Sequence, residues 1–342
     1  MSYAPDKMQV LLKKQKYQLY GKNTAVKKCT WTHNALREDR YCFKRFYGIQ
    51  SHRCVQFSPT LICNFSCQFC WRIHESDLSL KNMYKDYDVT DIQRLPEVFD
   101  SPEEVVKGIL LGQRKIICGY KPYINNQKYE EAMDPKHATM SLTGEPFLYP
   151  WIPELIQELR EKNMTVFIVT NGSVPETLKL ILETKIYPTQ LYITLPAPGI
   201  KNFIRTHRPL EDAKLVLNKI WETLSMIGKG VPFRTVGRLT VAKGLNLIDP
   251  QGYAQMIEVM NPSFIEIKGV VHVGAAEKRL PRSVMPSHDN IYSFAQELEM
   301  LTDYKIVRES KVSRLVILSN GNNPLIIPEL KNSAPIQPEN NI

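Results

Sequence analysis

The chain lacks long apolar runs: none approaches the roughly 20 residues that a helix needs to span a bilayer. The stretch Met1–Gln9 is polar and carries no apolar segment of a secretory signal. These absences argue against a membrane protein and give the expectation of a cytoplasmic one. Cysteine is scarce, with 7 in 342 residues, and six of them crowd between Cys29 and Cys70. Such crowding without a secretory leader argues for metal in a reducing compartment, not for disulfides. Cys118 stands apart and reads as a buried structural thiol. Excess charge is also missing from most of the chain. Residues 1–54 hold 12 Lys or Arg against 3 Asp or Glu, which accounts for the whole net charge of +9 and leaves the rest balanced. A basic excess at one end is the footprint of a polyanion such as nucleic acid, although a solvated lysine-rich arm has the same composition.

What is present is an alternation. Val55–Leu61, His137–Thr143, Met164–Thr170, Gln190–Leu195, Thr235–Val241 and Phe264–Lys268 read as strands. Pro102–Gln113, Pro153–Asn163, Pro175–Thr184, Glu211–Ile227, Gly252–Met260 and Ile291–Leu301 read as helices, and Arg314–Ser319 as a last strand. Ser101-Pro102-Glu103-Glu104 supplies a cap, a first-turn proline and early acids. Repeated β–α units imply parallel strands with right-handed crossovers. Six of them suit an α/β fold, an incomplete (β/α)6 TIM-like barrel with functional residues at the strand C-termini. Ile73–Asp100 and Gly119–Lys136 read as insertions near the barrel mouth. Three regions follow: a basic, cysteine-containing N-terminal extension (1–54), the barrel (55–320), and a Pro- and Asn-rich tail (321–342), expected to be mobile from Asn322.

The cysteines are spaced for chemistry. Cys63, Cys67 and Cys70 form C-x3-C-x2-C just after the first core strand. Three soft thiolates suit a four-iron cluster with one iron left open, whereas zinc ligands come in closely spaced pairs. Cys29, Cys42 and Cys54 lie farther apart and suggest an auxiliary 4Fe–4S cluster, whose open iron could chelate an α-keto acid. Structural zinc completed by His33 or His52 is the alternative. Lys44, two residues past Cys42, could form a Schiff base if desolvated beside a metal. Thr143-Gly144-Glu145-Pro146 ends the second strand, where glycine permits close approach and a carboxylate can bind an ammonium. Asn171 follows the third strand and could reach a ligand at the mouth. Arg205 and Arg208 could meet phosphate, and Arg238 and Lys268 are candidate inward contacts to tRNA or substrate.

Together these residues resemble the archaeal tRNA 4-demethylwyosine synthases, radical S-adenosylmethionine (SAM) enzymes. The resemblance rests on both cysteine trios, Phe69 before Cys70, Trp71-Arg72 after it, Ser141-Leu142-Thr143-Gly144-Glu145-Pro146 and Thr170-Asn171-Gly172. His207-Arg208-Pro209-Leu210, Arg238-Leu239-Thr240, Phe264–Lys268 and Met285-Pro286-Ser287-His288 add to it. Thr143 stands where the family has a first glycine, and Pro196 where it has Asp. The resemblance implies two 4Fe–4S clusters, with SAM bound near Thr143, Gly144, Glu145 and Asn171. It implies that pyruvate carbons are joined to N1-methylguanosine at position 37 in the tRNA anticodon loop. Pyruvate would be held by Lys44 or by the auxiliary cluster. A separate flavodoxin- or ferredoxin-type electron donor is expected, because no flavodoxin-like domain of the eukaryotic kind is found. Nothing suggests more than a monomer. A methylthiotransferase-like enzyme and a zinc-stabilised RNA-binding protein are the competing readings.

Overall fold

A computed structural model of the chain describes residues 6–79 and 96–331. Its core is one sheet of ten strands: β1 (Gln18–Tyr20), β2 (Thr24–Val26), β3 (Cys54–Ser58), β4 (His137–Met140), β5 (Thr165–Thr170), β6 (Gln190–Thr194), β7 (Arg234–Val241), β8 (Phe264–Gly269), β9 (Lys305–Ser310) and β10 (Leu315–Ser319). The order is β1-β2-β3-β4-β5-β6-β7-β8-β10-β9. Strands β3 to β8 pair in parallel, each with the next, and make the six-stranded partial barrel. Antiparallel strands extend both edges, β2 against β3 and β10 against β8. The six helices expected from the sequence all form, with ends shifted by a few residues. The Ser101–Glu104 capping box closes as expected. Among the described residues no helix is long and apolar enough to cross a membrane.

Strand alternation divides the barrel into two environments. Outward residues such as Phe57, Met140, Ile168, Leu191, Leu239 and Ile265 join one large core beneath the helices. Inward residues Phe167, Tyr192, Val236 and Phe264 meet Phe43, Phe46, Tyr47 and Ile49, which come from the N-terminal segment. A 3-10 turn, Phe43–Tyr47, thus plugs the barrel. Ile327 and Leu330 pack into the same cluster.

Three expectations are corrected. The segment 324–330 is docked, not mobile: Arg234 donates to the carbonyls of Pro324 and Leu325, and Ile327 N donates to Tyr47 O at 3.0 Å. Residues 332–342 lie outside the described residues, as do 80–95 of the first insertion. The second insertion joins a helix to the start of β4, so it belongs to the N-terminal ends of the strands, opposite the mouth. It contains a helix, Asn126–Met133, whose Glu131 holds His52 at 2.7 Å. Cys118 is exposed, with its thiol donating to Lys115 O at 3.1 Å.

Candidate active site

The plug carries Lys44 into the barrel. Lys44 lines a cavity of about 230 Å³ together with Cys29, Cys42, Cys54, Arg238 and Lys268. Alternation explains the inward set: Cys54 and Gln56 share the inner face of β3, as Arg238 does on β7 and Lys268 on β8. The Lys44 ammonium stands over the rings of Tyr192 (5.2 Å) and Phe167 (5.3 Å). Burial, and then the Arg238 guanidinium, hold Lys44 below its usual pKa, while Cys54 and Cys42, wherever ionised, oppose the shift. Burial and Arg238 lower Lys268 likewise. Arg238 donates from Nε (2.9 Å) and Nη2 (2.6 Å) to Oε2 of Glu266, which is fully buried. The other oxygen of Glu266 accepts from Tyr47 OH at 2.8 Å. One carboxylate therefore ties the plug to β7 and β8. A larger hollow, about 730 Å³ between Arg160, Tyr187 and Arg234, lies at the opposite end of the strands and holds none of the cysteines. Donor chemistry, not volume, marks the site.

The second trio sits past the C-terminal end of β3. Its loop is stitched in place by Ser66 N to Arg208 O (3.0 Å), Gln68 N to Thr206 O (2.9 Å) and Leu210 N to Asn64 O (3.0 Å). Arg279 adds donors to the carbonyls of Cys67 (3.0 Å), Cys70 (2.7 Å) and Arg72, and to both oxygens of Asp77. Glu145 is buried next to this loop and accepts from Asn171 N (2.8 Å), Phe147 N (3.0 Å) and Thr170 Oγ1 (2.5 Å). Burial raises its pKa to about 7 against those three donors. Asn171 Nδ2 donates to Asn64 Oδ1 at 2.9 Å, which links the loop to the end of β5. Thr143 is buried, with its backbone bonded to Ser58.

The donor sets fit iron–sulfur chemistry. Burial pushes the thiols of Cys63 and Cys67 up. At Cys70 burial is outweighed by a hydrogen bond from His74 and by Arg72, which bring the thiol down to about 7. Burial and the neighbouring Cys29 raise Cys42 to about 12, and burial raises Cys54. Such thiols bind a soft metal by giving up their protons to it. In a four-iron cluster each thiolate meets its own iron. Among the described residues no three His, Cys, Asp or Glu side chains converge on a single ion.

Of the residues singled out by sequence, two groups assemble. Cys29, Cys42, Cys54, Lys44, Arg238 and Lys268 share the cavity. Cys63, Cys67 and Cys70 adjoin Glu145, Gly144 and Asn171 through the loop and Asn64. Arg205 and Arg208 do not line the cavity; they are exposed at the end of the helix Ile200–His207, beside the cluster loop. Sequence reasoning missed Glu266, Tyr47, Asn64, His74 and Arg279. Only the inward register of Glu266 could have flagged it.

Residues 57–257 match the radical SAM superfamily, and residues 260–320 match a family described as wyosine base formation. The S-adenosyl-L-methionine-dependent tRNA 4-demethylwyosine synthase of Pyrococcus abyssi (strain GE5 / Orsay) is 38% identical over 92% of this chain and 89% of its own. That of Methanocaldococcus jannaschii is 36% identical over 93% of this chain and 97% of its own. A solved structure of TYW1 with a lysine-pyruvate adduct bound superposes with a TM-score of 0.79 at 33% identity, covering 94% of this chain and 98% of the other. The chain belongs to the S-adenosyl-L-methionine-dependent tRNA 4-demethylwyosine synthases, radical SAM enzymes that work with a 4Fe–4S cluster and SAM.

Proposed function

We propose that this chain joins pyruvate carbons to N1-methylguanosine at position 37 of a tRNA anticodon loop, closing the tricyclic 4-demethylwyosine base. The observation that carries the proposal is Lys44, desolvated in the barrel among three cysteines and two further cations. A relative solved with a lysine-pyruvate adduct supports the same reading.

The residues divide the work. Cys63, Cys67 and Cys70 would hold the SAM cluster, and Glu145 and Asn171 the methionine end of SAM. When bound and given one electron, the cluster and SAM would supply a 5′-deoxyadenosyl radical able to take hydrogen from the N1-methyl group. Lys44, held below its usual pKa, reaches the neutral amine that attacks the pyruvate carbonyl and expels water to give an imine. Arg238 and Lys268 line the same cavity and would meet the pyruvate carboxylate there. Cys29, Cys42 and Cys54, which line the same cavity, would hold an auxiliary 4Fe–4S cluster. The purine enters from a single-stranded loop at modest unstacking cost. The electron comes from a separate flavodoxin- or ferredoxin-type donor in the cytoplasm.

The test is an anaerobic incubation of iron-reconstituted protein with SAM, dithionite, pyruvate and N1-methylguanosine-containing tRNA, followed by nucleoside mass spectrometry. A tricyclic nucleoside that depends on pyruvate is the expected product. Lys44→Ala should keep SAM cleavage within about threefold and lose the new base and any borohydride-trapped pyruvate adduct. SAM cleavage by the unaltered chain without a modified base would refute the proposed substrate.

A further inference from the structure

We propose that the surface over the Cys63–Cys70 loop is the docking site of an acidic one-electron carrier protein. This rests on the reading that Cys63, Cys67 and Cys70 hold the reducible cluster. Three segments cover that loop. The end of the helix Ile200–His207 is hydrogen-bonded to it through Thr206 O and Arg208 O. Residues 274–279 reach it through Ala275 N to Trp71 O (2.9 Å) and through Arg279. The turn 243–247 completes the cover: Arg205 donates to Leu245 O at 2.9 Å, and Lys243 N to Val284 O at 2.8 Å. Phe69 of the loop packs against the small core of Ala242, Leu245, Val270, Leu280 and Val284 that joins these segments.

The outer face of this cover has a distinct character. Across 200–208, 243–247 and 271–284, Lys201, Arg205, Arg208, Lys243, Lys278 and Arg282 are exposed, against one exposed acid, Glu277. The chain beyond residue 54 is charge-balanced only as a whole; these three segments hold seven Lys or Arg against one Glu, so the rest of it is net acidic and this excess is local. Ile200, Ile204, Val271 and Val273 are exposed among these cations. Apolar side chains ringed by one sign of charge suit a short-lived protein complex steered by opposite charge. Electron tunnelling weakens steeply with distance, so a carrier gains most by seating close to the cluster loop, which these segments contact directly. One electron leaves the carrier's reduced centre and enters the cluster; no bond is made or broken, and no other reactant is needed.

The experiment compares two reductants on the iron-reconstituted protein, a purified acidic flavodoxin in its fully reduced form and dithionite. The readouts are the rate of cluster reduction, followed by its visible absorbance, and SAM cleavage. In the triple variant Lys243→Glu, Lys278→Glu, Arg282→Glu, the flavodoxin-driven rate at low carrier concentration should fall at least tenfold. The dithionite-driven rate and tRNA affinity should stay within twofold. An unchanged flavodoxin-driven rate overturns the proposal, and a selective loss of tRNA affinity assigns the surface to RNA instead. If the triple variant also loses the dithionite-driven rate, the single Gln variants decide, each expected to slow the flavodoxin-driven rate about twofold. Absence of dithionite-driven SAM cleavage in the unaltered protein would instead sink the cluster assignment itself.

Discussion

Gly144 has φ +72°, and a Cβ there would strike the backbone carbonyls of Thr60 and Ile62. Neither obstacle is a flexible side chain, so Gly144→Ala must push β4 away from the cluster loop or twist the Glu145 carboxylate off its donors. The expected cost is about 3 kcal/mol or more of stability, with SAM affinity lost alongside. Urea denaturation and equilibrium dialysis with labelled SAM check this; normal SAM affinity would show that the loop does not depend on this close approach. This close approach was legible only in context: Thr-Gly-Glu-Pro alone reads as a turn, and its place at a strand end after the C-x3-C-x2-C loop is what singled it out. Its neighbours were not. Ser58, whose hydroxyl is bonded to the Thr143 backbone, is a common residue in an ordinary strand. Glu266 sits between two isoleucines, and only three-dimensional register shows that it faces Arg238 and Tyr47 across the barrel.

At the scale of elements, the six parallel strands were legible because each is a short apolar run flanked by helix signals. The hairpin of β1 and β2 was not. Its strands have three residues each, and its turn is fixed by Asp100, which accepts from Lys22 N (2.6 Å), Asn23 N (3.0 Å) and Thr24 N (3.0 Å). A partner more than 70 residues away leaves no local pattern. The segment 274–279 was invisible for the same reason, since one arginine at the end of Gly-Ala-Ala-Glu-Lys-Arg is no motif. Yet Arg279 joins this segment to the cluster loop, with its side chain only 9% exposed against 14% for its partner Asp77. Arg279→Gln should remove about 3 kcal/mol of local stability by leaving the mostly buried Asp77 carboxylate with its bond from His74 N but without its ion pair. Faster hydrogen exchange across residues 66–72 and less iron retained after reconstitution are the expected signs. Arg279→Lys should fall between, because it keeps the charge but not the planar fork. Unaltered exchange in Arg279→Gln would mean that the backbone bonds from Thr206 and Arg208 hold the loop alone.

At the scale of the whole molecule, the charge distribution sets how the chain meets tRNA. The net excess of +9 resides in residues 1–54, and these residues are not a detached arm. They extend the sheet through β2, plug the barrel with Phe43–Tyr47 and bring Cys42 and Lys44 to the cavity. Lys13, Lys14 and Lys16 remain exposed at the end of the helix Asp6–Lys14 and the turn that follows. Phosphates gripped here would hold the tRNA by the same segment that carries the reacting amine. Each phosphate deprived of its lysine should lower the slope of log affinity on log salt by about 0.7–0.9. The triple variant Lys13→Gln, Lys14→Gln, Lys16→Gln should therefore reduce that slope by about 2, measured by fluorescence anisotropy from 50 to 200 mM salt. SAM cleavage without tRNA should be unchanged, because all three side chains are exposed and none belongs to the Cys63–Cys70 loop or its neighbours Glu145 and Asn171. An identical slope would make these lysines a solvated face and move RNA binding to the barrel mouth. The comparison with Lys243→Glu, Lys278→Glu, Arg282→Glu is then informative, since that variant should leave the salt slope for tRNA intact. Two basic regions with separable effects would mean that substrate and electron reach the barrel by different faces.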